Sequence, residues 1–161
     1  MRIGHGYDIH RLVAGRSLRL GGIDIASPVG LLGHSDGDAV LHAICDAILG
    51  ALAAGDIGGH FPDTDPAHAG VASAGLLQRV VEMMQARRFG VVNLDVTIYA
   101  EQPKLAPHRE PMRQRLAELV HAPLAAVSIK AKTNEGLDAV GRGEAIAATA
   151  VVLLAELPAE P

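Results

Sequence analysis

Ten consecutive residues, 145–154, carry no charge and a single hydroxyl, Thr149. A run of that kind is stable in water only when it is covered, so the chain must build further layers around it. Periodicity alone reads it as a buried strand or a buried helix. Flanking Gly141 and Gly143, with the branched Ile146, Thr149, Val151 and Val152, favour a strand buried on both faces over the helix that its alanines prefer. The 161 residues suffice for one such layered domain and are too few for two ordinary ones.

Other segments supply the layers. Residues 1–9 read as a strand, and 18–20 with 23–25 as short extended pieces around Gly21 and Gly22. In the helix expected over 38–53, Val40, Leu41, Ile44, Ile48 and Leu52 recur at three and four. Ser35 or Asp36 can cap it, and Gly55 stops it. Residues 55–70, rich in Gly, Pro and Asp, read as a loop of a length that is usually functional or mobile. Helices over 73–88 and 107–121 alternate with strands over 91–99 and 127–131. The pattern implies an α+β fold, a mixed β-sheet with helices packed on one face, in a single domain over 1–157 with a loose tail over 158–161.

Composition removes several function classes. The net charge is −4, with eleven Arg, three Lys and four aromatic residues, which disfavours a nucleic-acid binder. The single Cys45 rules out an internal disulfide and suits a reducing, cytoplasmic setting. The N-terminus reads as free of an apolar signal segment, and no stretch is long enough for a membrane span. Eight of the ten Asp lie in the first 65 residues, and five of the eight His in the first 60. Asp serves turns and caps, but short carboxylates mixed with imidazoles also suit a metal or phosphate site.

In Gly4-His5-Gly6-Tyr7-Asp8-Ile9-His10, residues two apart on a strand project to one side, so Asp8 and His10 point together. That is two-thirds of a tripod for Zn²⁺ or Mn²⁺. His42 offers the third ligand. Asp38 and Asp46 stand one turn away on either side of it, placed to hold its second ring nitrogen. A His on an apolar helix is more often a satisfied core residue, yet two His and one Asp would leave the open position of a catalytic metal.

The loop His34-Ser35-Asp36-Gly37-Asp38 opens that helix, where amides are available to an anion. Asp56, Asp63 and Asp65 can accept from hydroxyls. Two further loops, at Ala100-Glu101-Gln102-Pro103-Lys104 and Lys132-Thr133-Asn134-Glu135-Gly136, follow strands directly and suit a phosphate or nucleotide. Glu135 is a hard oxygen ligand for Mg²⁺. Neither a P-loop nor a Rossmann glycine pattern is present.

Taken together, G-H-G-Y-D-I-H, H-S-D-G-D-A-V-L-H-A with D-A-I-L-G-A, G-D-I-G, H-F-P-D-T-D-P, D-V-T-I-Y-A-E-Q-P-K, K-A-K-T-N-E and G-R-G-E-A-I-A occur in order across residues 1 to about 155. The set resembles the 2-C-methyl-D-erythritol 2,4-cyclodiphosphate synthase family of non-mevalonate isoprenoid biosynthesis. The resemblance implies a phosphorus–oxygen lyase that closes a cytidine-diphosphate derivative of methylerythritol 2-phosphate into a cyclic diphosphate and releases CMP. It implies Zn²⁺ (or Mn²⁺) on Asp8, His10 and His42, and Mg²⁺ or Mn²⁺ bridging the substrate diphosphate at Glu135.

His34 and Thr133 match transition-state stabilisers, and Ser35 neighbours the phosphate. Asp56, Ile57 and Gly58, with Phe61, Pro62, Asp63, Thr64 and Asp65, match the methylerythritol subsite. Ala100 through Lys104, Leu105 and Ala106, with Lys132, Thr133, Asn134 and Glu135, match the cytidine pocket. Ala139 and Arg142 match further contact positions, and Arg142 and Glu144 lie near the central cavity of the homotrimer that the family forms. Its sites lie between subunits. Tyr7 replaces a common Phe, and Lys132 a common Thr. Leu137-Asp138-Ala139-Val140 lacks the usual aromatic at 139, which puts in doubt any isoprenoid-like ligand in that cavity.

Overall fold

The computed structural model describes residues 1–33, 35–62 and 71–158. The elements in chain order are β1 (Arg2–Ala14), β2 (Leu18–Leu20), β3 (Ile23–Ile25), β4 (Val29–Leu31), α1 (Ala39–Ala51), α2 (Ile57–His60) and α3 (Ser73–Ala86). After them come β5 (Phe89–Tyr99), α4 (Arg109–Leu119), β6 (Val127–Lys132), α5 (Asp138–Gly141) and β7 (Ala145–Glu156). The expected tail lies outside the described residues from 159 onward.

The apolar run of 145–154 is a strand, and it occupies the centre of a five-stranded sheet ordered β4-β1-β7-β5-β6. β7 is antiparallel to both β1 and β5, whereas β5 and β6 pair in parallel through a crossover containing α4. The fold is α+β with a mixed sheet, as the sequence implied. Burial of β7 is two-sided only in its first half. Ile146, Ala148, Ala150, Val152 and Leu154 are fully buried beneath the helices, but Val151 on the other face is exposed. On that face α5 packs over Ala145 and Ala147, and beyond it the apolar side chains Ile3, Tyr7, Ile9 and Val151 meet solvent.

Helix α1 packs directly on β1 and β7 because the strand has no side chains where the helix crosses it. Gly4 and Gly6 are buried, and a Cβ at either would meet the α1 backbone. The next even positions, Asp8 and His10, continue along the same face.

Three local expectations are corrected. The cap of α1 is Asp38, not Ser35 or Asp36: its carboxylate accepts from the amides of Val40 and Leu41. It also accepts from Gly21 (2.9 Å) and Gly22 (2.7 Å), so the β2–β3 turn, both of whose glycines have positive φ, is tied to the helix start. Within the loop expected over 55–70, residues 57–60 form a helical turn capped by Asp56, which accepts from Gly59. The first strand runs on to Ala14 because its last residues pair with β4, a strand too short for its period to show.

Candidate functional site

Asp8 and His10 leave β1 on the helix side, and α1 places His42 over them. Nδ1 of His10 and Nδ1 of His42 each stand 3.0 Å from Asp8 Oδ2. One ligand atom from each of the three residues lies within 4.8 Å of the other two. Burial pushes the Asp8 carboxyl up, but the two imidazoles at its oxygen outweigh that and bring it down to about 2. Burial lowers the His42 imidazole, while Asp8, with Asp38 and Asp36 farther off, raises it by more.

The donor set suits a divalent first-row ion, whose tetrahedral ligand atoms stand about 3.3 Å apart. A direct observation on His10 supports the fit. Its Nδ1 is buried and has no hydrogen-bond partner among the described residues, although the carboxylate oxygen is 3.0 Å away. His42 Nδ1 and Asp8 Oδ2 are within hydrogen-bond distance of each other, so His10 Nδ1 is the atom left over, and two nitrogens and one oxygen converging in this way is an arrangement that a cation satisfies.

The expected supports of His42 are corrected as well. Asp38 is spent on amides, as above, and Asp46 accepts from the Ile57 amide at 2.8 Å. Asp38 caps α1 and Asp46 lies on it, each one turn from His42, but neither carboxylate bonds the His42 imidazole. The outward ring nitrogen, Nε2, lies 2.9 Å from Ser73 Oγ at the start of α3. That hydroxyl donates to Asp36 Oδ1 and lies 3.2 Å from Ser35 Oγ. Sequence periodicity links neither 36 nor 73 to 42, since the contact exists only through the packing of α3 on α1.

A cavity of about 700 Å³ opens beside the tripod and is lined by His10, His42, Ser35, Ile57, Gly58 and Phe61 from the expected set. Arg11, Leu32, Val71 and Leu76, which sequence reasoning passed over, also line it. Pro62 is exposed next to Phe61, and Asp56 is exposed at the cap of α2. His34, Asp63, Thr64 and Asp65 lie outside the described residues.

The other expected group gathers at the ends of β5 and β6. Ala100 donates to the Lys132 carbonyl at 2.9 Å, and the Glu101 carboxylate accepts from the Asn134 amide at 2.8 Å. Thr133 Oγ1 donates to Glu135 Oε1 at 2.9 Å, and the Gln102–Pro103 bond is cis. Lys104, Ala106, Lys132, Thr133 and Glu135 are exposed, and Leu105 is buried. Register puts Ile9, Ala147, Tyr99 and Lys132 at one level. The tripod and these loops therefore share one end of the sheet, separated by two to three strand spacings, roughly 10–14 Å. Among the described residues, the cavity beside the tripod is lined by none of these loops.

Ala139 borders a second cavity of about 340 Å³, with Tyr7, Ile9, Tyr99 and Thr149. Arg142 makes a two-pronged ion pair with Glu144, at 3.0 Å for each contact, and these hydrogen bonds, helped by the guanidinium charge, hold the Glu144 carboxyl below its ordinary range. Asp138 has a φ of 57° and accepts from the amides of Val140 and Gly141. Its side chain thus stabilises a backbone conformation that favours glycine.

The sequence profile of the YgbB family matches residues 1–155. The 2-C-methyl-D-erythritol 2,4-cyclodiphosphate synthase of Geobacter sulfurreducens is 58% identical, with 97% of this chain and 99% of that one covered. That of Pelobacter propionicus is 56% identical over 96% and 98%. Among solved structures, a 2C-methyl-D-erythritol-2,4-cyclodiphosphate synthase in a CDP-bound form superposes with a TM-score of 0.89. It is 43% identical, and the match covers 96% of this chain and all of the other.

Proposed function

The chain belongs to the YgbB family, and from that membership together with the tripod we propose that it closes 4-diphosphocytidyl-2-C-methyl-D-erythritol 2-phosphate into 2-C-methyl-D-erythritol 2,4-cyclodiphosphate with release of CMP. The substrate's 2-phosphate oxygen bonds to the β-phosphorus while the bond from that phosphorus to the oxygen leaving with CMP breaks. The nucleophile comes from the substrate, so the enzyme need not supply one. Cys45 fits that view: it is buried, and burial pushes its thiol well above the ordinary range.

Asp8, His10 and His42 would hold a Zn²⁺-class ion and Glu135 a Mg²⁺ or Mn²⁺ ion. Such ions supply Lewis acidity and neutralise the diphosphate. The protein's own groups orient the reacting phosphates, and Ser35, on the wall of the tripod cavity, is positioned to donate to one. Ile57, Gly58 and Phe61 shape the wall that would receive the methylerythritol, with Asp56, Pro62, Asp63, Thr64 and Asp65 as its further contacts. His34 and Thr133 are proposed to stabilise the transition state. Glu101 holds the amide of Asn134 and so sets the loop that carries Thr133 and Glu135. That loop and Ala100 through Ala106, including Lys104, would receive the cytidine and its phosphates, beside Lys132, Ala139 and Arg142.

Among the described residues the cavity beside the tripod is lined by none of the nucleotide loops, and the outer face of β1 and β7 leaves Ile3, Tyr7, Ile9 and Val151 exposed. Both observations support a homotrimer in which one subunit's loops complete its neighbour's tripod, and the net charge of −4 with a single cysteine supports a small phosphorylated substrate in the cytoplasm rather than nucleic acid.

The observation that carries the reading is the Asp8–His10–His42 convergence with its orphaned nitrogen. The competing reading is a metal-dependent phosphohydrolase. Turnover in ¹⁸O-labelled water separates the two: the cyclase gives a product with two coupled phosphorus resonances and no label. Label in the main product would overturn the proposal.

A further inference from the structure

Resting on the reading of the tripod as a metal site, we infer that Ser73 and Asp36 are positioning residues that fix the proton of His42 on its outer nitrogen and so aim Nδ1 at the metal. The argument is one of proton count. Asp36 Oδ1, as a carboxylate, only accepts, and it lies in a close contact with Ser73 Oγ that requires a proton between them. A serine hydroxyl has one proton, so Ser73 gives it to Asp36 and faces His42 Nε2 with a lone pair. At 2.9 Å, Nε2 must then carry a hydrogen and donate it. A ring so protonated, when neutral, presents a bare lone pair at Nδ1, which stands 3.0 Å from Asp8 Oδ2. The opposite tautomer would set two lone pairs against each other at Nε2, whereas the lone pairs that the preferred tautomer sets face to face at Nδ1 and Asp8 Oδ2 are the two that a bound ion would take up.

The relay is itself held. Asp36 takes a second hydrogen bond from the Ser73 amide at 3.2 Å, and Arg19 lies 3.5 Å from its other oxygen. Ser73 is fully buried, so water cannot substitute for its hydroxyl. Histidine ligands are commonly fixed by a carboxylate in this manner, and removing such a partner costs roughly 10- to 100-fold in metal affinity. Here a hydroxyl stands between the two, and the carboxylate comes from the turn before α1 rather than from the helix itself.

The test measures Zn²⁺ affinity of the full-length chain by competition with a chromophoric chelator, for the parent, Ser73→Ala, Asp36→Asn and the double variant. Ser73→Ala is expected to bind roughly 10- to 100-fold more weakly and Asp36→Asn less weakly than that. Because the two act in series, the double variant should lose no more than Ser73→Ala alone. Nitrogen-15 spectra of the zinc-loaded parent should show a protonated Nε2 on His42, which a purely structural role for Ser73 does not require. A folded Ser73→Ala that holds zinc as tightly as the parent, or losses that add in the double variant, would overturn the relay. If Ser73→Ala does not fold, an unchanged affinity in Asp36→Asn overturns it equally. A parent chain that binds no zinc would instead sink the tripod reading on which the inference stands.

Discussion

A Cβ on Gly6 would lie 1.9 Å from the carbonyl oxygen of Ala43, closer than any packed atoms tolerate. Gly4 stands in the same relation to Ala47, at 1.8 Å. Backbone thus rests on backbone where α1 crosses β1, and His42 enters at the height that meets Asp8 and His10. The glycines of G-H-G serve the metal centre by what they leave out.

Gly6→Ala should therefore act on both stability and site. The added methyl cannot be relieved by a rotamer change, because the obstructing atom is backbone. We expect a loss at or above the top of the usual 1–3 kcal/mol for overpacking, read as a lower urea midpoint, with weaker zinc retention in whatever folds. A parent-like midpoint would contradict the packing described.

The tripod should retain about one tightly held ion per chain, and an Asp8→Ala, His10→Ala double variant should retain almost none by elemental analysis. Removing the ion with a chelator should also lower the melting temperature of the parent. At a free-ion concentration a thousandfold over Kd the stabilisation lost is about 4 kcal/mol. Lowering the pH should release the ion, because imidazole must give up its proton to bind.

Glu135→Gln should keep the tripod ion, since that residue lies on the β6 side of the sheet. Activity should fall by roughly 100-fold, the scale of losing one electrostatic contact to a reacting phosphate. Loss of the tight ion in this variant would show that the two positions are not independent.

Asp38→Ala removes an acceptor shared by four amides, those of Gly21, Gly22, Val40 and Leu41. Losing the helix cap and leaving buried N–H groups unpaired should cost about 3 kcal/mol. Burial holds this carboxyl above its ordinary range despite those amides. The folded state therefore binds that proton more tightly than the unfolded one. The contribution of Asp38 to stability should then improve as pH falls through the folded-state value toward 3.8, opposite to an ordinary ion-paired carboxylate.

Val151→Lys tests the assembly. The residue is exposed on the outer sheet face, across from His5 on β1. If this face is the proposed trimer interface, three added charges there should give a monomer by light scattering, inactive yet still loaded with zinc. A trimeric, active variant would place the interface elsewhere.

Sequence alone carried the order of the longer strands and helices, the strand over residues 145–154, the pairing of Asp8 with His10 and the candidacy of His42. These follow from local signals, chiefly periodicity, with flanking glycines and branched residues deciding the strand over 145–154: side chains two apart on a strand or four apart on a helix share a side wherever the element goes. It also misled locally. Asp38 and Asp46 sit one turn from His42 as periodicity requires, but Asp38 is drawn to the amides of Gly21 and Gly22, and Asp46 to that of Ile57. Only tertiary packing decided that His42 leans on Ser73, thirty-one residues on, and through it on Asp36. It also decided that the tripod and the nucleotide loops stand at the same end of the sheet, with none of those loops, among the described residues, lining the cavity beside the tripod. A hydrogen bond between elements depends on how two layers settle on each other, and that relation is set by the shape of whole faces, down to the missing side chains of Gly4 and Gly6.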